Sequence, residues 1–255
     1  MMRMLLNEFN VIAEVIKSKT IKKPIYYLAN PGNWGDALIR QGTLKFFSDI
    51  NLEYTEVSRN IFNWLRPLYS GGTVIYGGGG GWCEIWNQPQ KYLTALTKRF
   101  DVIVLPSTFG KKYEISNTIF FCRDSFDSAN HMPDAKFCHD MAFYLGNQFC
   151  TEEKGRGKGY FYRTDLESAN QINVPLTNND ISLQGNHFSE VSQFFAQLDQ
   201  FASIYTDRLH VAIAACLLQK EVHLYPGSYF KNKAIYDSSI KNNFKNTYFH
   251  NSLDN

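Results

Sequence analysis

The sequence predicts a mixed α/β protein built on parallel sheets, and three observations lead to this expectation. Short continuous apolar runs alternate with longer segments of helical periodicity. Glycines, arginines and aspartates gather directly after the apolar runs, where the carboxyl ends of parallel strands would meet. A stretch of glycines and charges at residues 151–159 then interrupts the hydrophobic pattern. We therefore expect two α/β domains, residues 1–152 and 153–255, the alternative being a surface loop within one domain.

The expected strands are short apolar runs bounded by turn-forming or charged residues. They cover residues 23–29, 73–76, 101–106, 118–122, 159–163, 181–184, 202–206 and 221–226. The main helices between them are expected at residues 36–47, 90–99, 189–200 and 207–218.

An amphipathic helix is expected at the start of the chain. Leu5, Phe9, Ile12 and Ile16 recur at intervals of four, three and four residues, so they form one apolar stripe. The apolar stretches are too short for a signal peptide or a membrane span. A helix packed on the fold is preferred, and a membrane-surface anchor is the alternative.

Composition narrows the functional classes. The formal net charge of the 255 residues is only +2, which argues against nucleic acid as a partner. Five cysteines without CxxC spacing are expected to be reduced thiols in a cytoplasmic protein. The histidines show no ligand spacing such as HxxxH, so no metal site is expected.

The glycine run from Gly77 to Gly81 follows an expected strand directly. Such a run brings backbone amides close to a ligand or to a neighbouring chain segment. Trp82 stands where GxGxxG requires glycine, and no GxxxxGK[ST] occurs, so nucleotide fingerprints do not match. Ligand binding and tight packing of backbone against backbone both remain open.

Two further motifs lie at expected strand ends. The loop Asn33-Trp34-Gly35-Asp36 precedes a helix, where Asp36 would either cap the helix or take part in chemistry. Arg208 and His210 stand at the entrance of an apolar helix. If Arg208 lies in non-helical backbone, both side chains can reach an anion beside the free amides of the helix N-terminus. An ion pair of Arg208 with an acidic neighbour is the alternative.

Taken in order along residues 24–218, the motifs resemble the polysaccharide pyruvyl transferase family. The resemblance implies two Rossmann-like domains facing a central cleft, similar to the glycosyltransferase B architecture, with the first domain on the acceptor side and the second on the donor side. The last helix would be able to pack back on the first domain. The matching stretches are NPGNWGDALI, the glycine run, LPSTFG, Arg123-Asp124, HDMAFYL, Arg163 with Asp165, and TDRLHVAIAA.

The resemblance also implies an activity, in which a pyruvyl group passes from phosphoenolpyruvate to two hydroxyls of a sugar. The products are a cyclic ketal and phosphate, and no cofactor takes part. The acceptor would belong to a bacterial-type cell-surface polysaccharide or its lipid-linked precursor. The enzyme would be cytoplasmic, with contact at the inner face of the cell membrane compatible with the amphipathic helix.

Site residues follow from the same resemblance and from the chemistry of the donor, because arginine forks suit its carboxylate and phosphate. Asp36, His210 and Arg208 are the expected catalytic residues, and Asn33, Trp34, Gly79 and Gly80 the expected acceptor contacts. Trp34 and Trp82 would stack on sugar faces or pack in the core. The expected donor-binding residues are Arg163, Arg208, His210 and Arg123. The alternatives are a nucleotide-sugar glycosyltransferase of similar architecture and a non-catalytic sugar-binding protein.

Overall fold

The computed structural model describes residues 2–19, 24–65, 71–83, 88–151, 155–165, 167–168 and 174–251. It is a mixed α/β protein with parallel sheets, as in Rossmann-like folds. The chain forms two compact units. The amino-terminal unit comprises residues 3–30 and 43–141, and the carboxyl-terminal unit comprises residues 31–42 and 142–255 together with the first two residues.

The amino-terminal unit contains a parallel sheet in the order β2-β1-β3-β5-β6-β7, with β4 paired to β5. Its strands are β1 Ile25–Leu28, β2 Thr55–Glu56, β3 Gly72–Tyr76, β4 Gly79–Trp82, β5 Phe100–Phe109, β6 Thr118–Cys122 and β7 Lys136–Phe137. The central strands are buried because continuous apolar runs pack on both faces of the sheet.

The carboxyl-terminal unit contains a second parallel sheet in the order β11-β10-β9-β8. Its strands are β8 Lys158–Tyr160, β9 Ser203–Thr206, β10 Glu221–Leu224 and β11 Thr247–Phe249.

The α-helices of the described chain connect these strands. They are α1 Met2–Lys19, α2 Trp34–Asp49, α3 Arg59–Leu65, α4 Gln88–Leu96, α5 Asp127–His131, α6 Val191–Asp199, α7 Leu209–Leu217 and α8 Lys231–Ile235. Two 3-10 helices, Met141–Leu145 and Ile181–Gln184, and a π-helix, Tyr236–Ile240, complete the helical segments that the structure describes.

One expected strand is wrong. The run Ile181–Gln184 forms a 3-10 helix, not a strand. Leu183 N–H donates to the Asp180 carbonyl over 3.2 Å, so the short run closes on itself. Apolar residues at positions 181 and 183 alone are compatible with either conformation, and among the described residues the run pairs with no strand.

The apolar stripe of α1 packs on the fold. Phe9, Ile12 and Ile16 are all buried, and the ring of Phe9 lies 6.3 Å from that of Phe46. The side chain of Leu5 lies outside the described residues, as does residue 23 of the first expected strand. The packed-helix interpretation therefore agrees with the structure.

Residues 31–42 belong to the carboxyl-terminal unit although they follow β1 of the other sheet. The two units are therefore not separated by a single division of the chain near residue 152, because residues 31–42 precede that point and belong to the second unit. Residues 152–154 themselves lie outside the described part. The expected roles of the two domains, acceptor side and donor side, stay predictions.

In the described residues, no helix combines the length and apolar character that a bilayer crossing requires. All five cysteines lie in the described part of the chain, and none of them forms a disulfide there.

Candidate active site

The entrance of α7 is shaped by its preceding strand. Arg208 is the N-cap residue, with φ −85° and ψ 111°, so its backbone is extended while the helix begins at Leu209. Thr206 Oγ1 accepts the Arg208 N–H over 2.9 Å and donates to the Phe161 carbonyl over 2.7 Å. These two bonds hold Arg208 at the carboxyl end of β9. Arg208 therefore lies in non-helical backbone, as the sequence analysis required.

The guanidinium of Arg208 is buried among carboxylates. Its Nε lies 2.9 Å from Asp180 Oδ1 and its Nη2 lies 2.6 Å from Asp180 Oδ2, a bidentate pair. Its Nη1 lies 2.8 Å from Asp165 Oδ2. The acidic pairing that the sequence left open is therefore present. The Arg208 side chain is only 5% exposed, but its surroundings are charged and not apolar.

Arg163 joins the same group of charges after β8. Its Nε lies 2.8 Å from Asp165 Oδ1, and its Nη1 lies 2.7 Å from Glu167 Oε2. Lys231 Nζ donates to that same Glu167 oxygen over 2.7 Å. Asp165 therefore contacts both arginines at once, and it brings together two residues that the sequence analysis assigned to the donor.

We call these charged side chains the arginine cluster; its members are Arg163, Arg208, Lys231, Asp165, Glu167 and Asp180. Burial alone would raise the pKa of Asp165, but the hydrogen bond from Arg163 and the charges of Arg208 and Arg163 outweigh it and lower that pKa. Burial alone would likewise lower the pKa of Arg163, and Glu167 and Asp165 raise it overall. Ionised forms are therefore favoured on both sides of the cluster.

Asp207 is the acidic residue of the same motif, and the sequence analysis gave it no role. It is 1% exposed, and its Oδ1 accepts the Arg163 backbone N–H over 2.7 Å. Its Oδ2 has no hydrogen-bond partner among the described residues. Burial raises the pKa of Asp207 to about 6, against the lowering effects of the backbone bond and of the charges of Arg163 and Arg208. Its position at a strand end was the only sequence signal that pointed to it.

The N-terminus of α2 is held by two side chains, and the helix begins at Trp34, two residues earlier than expected. Asn33 Oδ1 accepts the Gly35 N–H over 2.8 Å, and Asp36 Oδ2 accepts the Asn33 N–H over 2.9 Å. Asp36 also folds over Gly32, where a Cβ would come within 1.9 Å of Asp36 Oδ2. The Asp36 carboxylate therefore has the helix-capping role that the sequence left open, and it remains half-buried.

The two motifs meet at Gly35 and His210. A Cβ at residue 35 would lie 2.6 Å from His210 Nδ1 and 3.0 Å from His210 Cβ. Only a residue without a side chain lets the imidazole take this position. The half-buried His210 is thus placed against the first turn of α2, which carries Asp36, although the two motifs lie far apart in the chain.

This meeting of motifs agrees with the comparison against protein families. The model described as polysaccharide pyruvyl transferase matches residues 33–228, a span that contains both motifs and the arginine cluster except Lys231. The chain belongs to the polysaccharide pyruvyl transferase family.

A solved structure also resembles this pyruvyl transferase family member. It is the crystal structure of a functionally uncharacterised protein from Klebsiella pneumoniae subsp. pneumoniae NTUH-K2044. The two share 30% sequence identity with a TM-score of 0.80, over 96% of this chain and 99% of that one. A search of curated proteins finds no match.

Arg123 has a different environment from the other expected donor residues. It belongs to the amino-terminal unit and is 1% exposed. Its Nη1 lies 2.6 Å from Asp140 Oδ2, and its Nε donates to Thr108 Oγ1 over 2.8 Å. The guanidinium is therefore engaged in a buried pair inside that unit. This pair stabilises the unit, and the expected role of Arg123 in donor binding stays a prediction for this pyruvyl transferase family member.

The expected acceptor residues divide between the two units. Trp34, in the carboxyl-terminal unit with Asn33, is 4% exposed; its indole N–H donates to the Glu190 carbonyl over 3.0 Å, and its ring lies 5.4 Å from that of Phe194. This burial favours core packing over sugar stacking. Trp82 is also buried, among Phe109, Tyr113 and Phe120 of the amino-terminal unit.

Part of the glycine run is needed for close packing of one backbone segment against another. A Cβ at Gly77 would lie 2.6 Å from the Asn30 nitrogen, and one at Gly78 would lie 2.3 Å from the Pro106 carbonyl. Gly79 and Gly80 belong to β4, where Gly79 has a φ of +133°. The tight-packing interpretation therefore holds for Gly77 and Gly78, and the acceptor role of Gly79 and Gly80 stays a prediction.

A groove of the carboxyl-terminal unit lies away from the arginine cluster. A groove of about 540 Å³ includes Gly155, Arg156, Asp199 and Gln200 in its lining. These residues precede β8 and β9, so the groove lies at the amino ends of the strands, opposite the arginine cluster.

Over the part of the chain that is described, no group of three His, Cys, Asp or Glu side chains is arranged to hold a metal ion.

Proposed function

We propose that this protein transfers a pyruvyl group from phosphoenolpyruvate to two hydroxyls of a sugar, forming a cyclic ketal and releasing phosphate. The acceptor belongs to a cell-surface polysaccharide or to its lipid-linked precursor. The observation that carries the proposal is the contact of His210 with Gly35, which assembles two motifs of a pyruvyl transferase family member beside Arg208.

The donor assignment follows from the charges. Phosphoenolpyruvate carries a carboxylate and a phosphate, and each matches the planar donor fork of an arginine. Asp165 already bridges Arg163 and Arg208, so one small carboxylate is able to contact both guanidinium groups. We assign Arg163 and Arg208 as the donor clamp and His210 as the partner of the phosphate.

The reaction needs proton transfer as well as anion binding. A proton is added to the methylene carbon of the donor, and one sugar hydroxyl attacks the resulting cationic C2 and forms the first C–O bond. Phosphate then leaves with the electrons of its C–O bond, and the second hydroxyl closes the ketal. Of the two hydroxyl protons, one makes up for the proton added to carbon and the other passes to phosphate or solvent. His210 is the proposed proton donor and Asp36 the proposed acid or base.

The acceptor side is the less constrained part of the proposal. Asn33 is partly exposed beside Asp36 and is suited to hydrogen bonds with sugar hydroxyls, and Gly79 and Gly80 offer backbone groups at a strand end. Two units facing a cleft, a cytoplasmic location and peripheral membrane contact stay predictions from the resemblance to the family.

The test is to incubate the full chain with phosphoenolpyruvate and a panel of galactosides, glucosides and mannosides, free and lipid-linked. Phosphate release should accompany the mass gain of one pyruvyl ketal on the sugar. Transfer from a nucleotide sugar, with phosphoenolpyruvate left intact, would instead identify a glycosyltransferase. Sugar binding without turnover of any donor would identify a non-catalytic sugar-binding protein.

A further inference from the structure

Asp165 occupies an unusual position between the two arginines of the proposed donor clamp. Its Oδ1 lies 2.8 Å from Arg163 Nε, and its Oδ2 lies 2.8 Å from Arg208 Nη1 and 3.3 Å from Arg163 Nη2. One carboxylate thus takes up donors from both guanidinium groups. This is the arrangement that the carboxylate of a small anionic ligand would adopt there.

The three carboxylates of the arginine cluster differ in how firmly they are held. The Asp180 side chain is 7% exposed, and its Oδ2 also accepts from Thr164 N and Oγ1, over 2.8 and 3.1 Å. The Glu167 side chain is 9% exposed and also binds Lys231. The Asp165 side chain is 32% exposed, and its one further hydrogen bond among those described comes from Glu167 N–H, over 3.1 Å. Asp165 is therefore the member of the cluster that solvent and an incoming ligand reach most easily.

An incoming carboxylate has to replace a carboxylate that is already bound. The three acidic side chains of the cluster already balance the charges of Arg163, Arg208 and Lys231, and the buried Asp207 lies near both arginines as well. Adding a ligand anion without removing a carboxylate therefore leaves an excess of buried negative charge. Release of Asp165 to water avoids this excess at the smallest cost, because its side chain is already partly hydrated. Release of Asp180 would break the bidentate pair that orients Arg208.

We propose that Asp165 is a built-in competitor of the donor: its carboxylate holds the place of the donor carboxylate between Arg163 and Arg208 and leaves that place when the donor binds. The inference rests on the proposed function. Asp165 is then a residue that sets donor affinity, while Asp180 positions Arg208. A tethered competitor multiplies the association constant of the ligand by the fraction of molecules in which the competitor is released, so the ligand binds more weakly as that fraction falls.

The experiment is a calorimetric titration of the full chain with phosphoenolpyruvate. Asp165→Asn keeps the shape of the side chain but weakens its bonds to the arginines, so the variant should bind at least about fivefold more tightly than the unmodified protein. Asp180→Asn should bind more weakly, because Arg208 loses its orientation. Asp199→Asn is the matched control: Asp199 pairs with Lys220 at the other edge of the sheet, and its replacement should leave the affinity unchanged.

Unchanged or weaker binding by Asp165→Asn would overturn the inference and identify Asp165 as a support for the arginines. Asp165→Glu retains a carboxylate, so it should not share the gain; a gain equal to that of Asp165→Asn would also overturn it. If Asp165→Asn does not fold, as judged by circular dichroism, Asp165→Ser replaces it under the same criteria. Arg208→Ala separates the two proposals. If Arg208→Ala binds phosphoenolpyruvate as tightly as the unmodified protein, the donor clamp itself is rejected. If Arg208→Ala binds more weakly but Asp165→Asn does not bind more tightly, only the role of Asp165 as a competitor is rejected.

Discussion

The imidazole of His210 lies against the backbone of Gly35, at a distance that leaves no room for a methyl group. Gly35 belongs to the first turn of α2 and His210 to the first turn of α7, so this contact fixes one motif against the other. The position of a histidine proposed for proton transfer is thus set by the absence of a side chain on a residue of the opposite motif.

Gly35→Ala should therefore displace His210. The added Cβ would lie 2.6 Å from Nδ1, so the ring has to move, and we expect at least a roughly tenfold loss of kcat/KM in the phosphate-release assay. Gly227→Ala is the matched control, because its Cβ would meet its nearest neighbours at 3.7 and 3.8 Å and should leave activity intact. Full activity in a folded Gly35→Ala protein would argue against the placement of His210.

Arg208→Ala and His210→Ala should each reduce turnover of phosphoenolpyruvate by at least about 100-fold, the scale of losing one preorganised donor to a developing charge. Arg208→Lys should restore little, since an ammonium does not reproduce the bidentate fork. Steady-state kinetics of phosphate release provides the measurement.

Arg208→Ala also leaves Asp180 buried without its partner, so its folding has to be confirmed by circular dichroism at the assay temperature. Activity close to that of the unmodified protein in a folded variant would remove these residues from the mechanism.

Asp140→Asn tests the structural role of Arg123. The pair is almost fully buried, so removing the negative charge leaves a guanidinium without compensation, and the free energy of unfolding should fall by about 3–5 kcal/mol. Urea denaturation measures this loss. Asp49→Asn, at an exposed pair with Lys45, should change it by less than about 1 kcal/mol. If Arg123 has only this structural role, the affinity for phosphoenolpyruvate should stay constant in the folded Asp140→Asn protein, and a large decrease would support its role in the donor site.

Asp207 should make stability depend on pH. Its pKa of about 6 in the folded protein lies above the ordinary value of 3.8, so between these values the folded state holds a proton that the unfolded state has lost. Asp207 therefore lowers the free energy of unfolding as pH rises through this window, by roughly 2–3 kcal/mol in total. Asp207→Asn lacks this titration.

The stability of Asp207→Asn relative to the unmodified protein should thus increase from pH 4 to pH 7, as measured by urea denaturation at several pH values. Parallel pH profiles for the two proteins would show that Asp207 titrates in the ordinary range.

Much of the fold was predictable because local patterns are strong in buried parallel strands. The expected strand at residues 118–122 coincides with β6, and the family resemblance is confirmed by the match over residues 33–228. Short strands such as Lys136–Phe137 escaped prediction because two residues carry no periodicity. The run Ile181–Gln184 was misassigned because four residues with only two apolar side chains do not distinguish a strand from a helical turn.

The candidate site was predictable only in part. Extended backbone at Arg208 follows from a strand that leads directly into a helix, which is a local property. Its carboxylate partners Asp165 and Asp180 are distant in the chain, and no spacing rule connects them to Arg208. The burial of Trp34 against Phe194 is likewise invisible in the loop sequence alone.

The sequence by itself determined the parallel α/β character, the family, and the gathering of glycines, arginines and aspartates at strand ends, because each of these depends on residues close together in the chain. The tertiary structure alone decided that residues 31–42 join the carboxyl-terminal unit, that Gly35 receives His210, and that Asp165 stands between two arginines. These outcomes depend on distances of a few ångströms between residues far apart in sequence, and hydrogen bonds and ion pairs select their partners only at such distances.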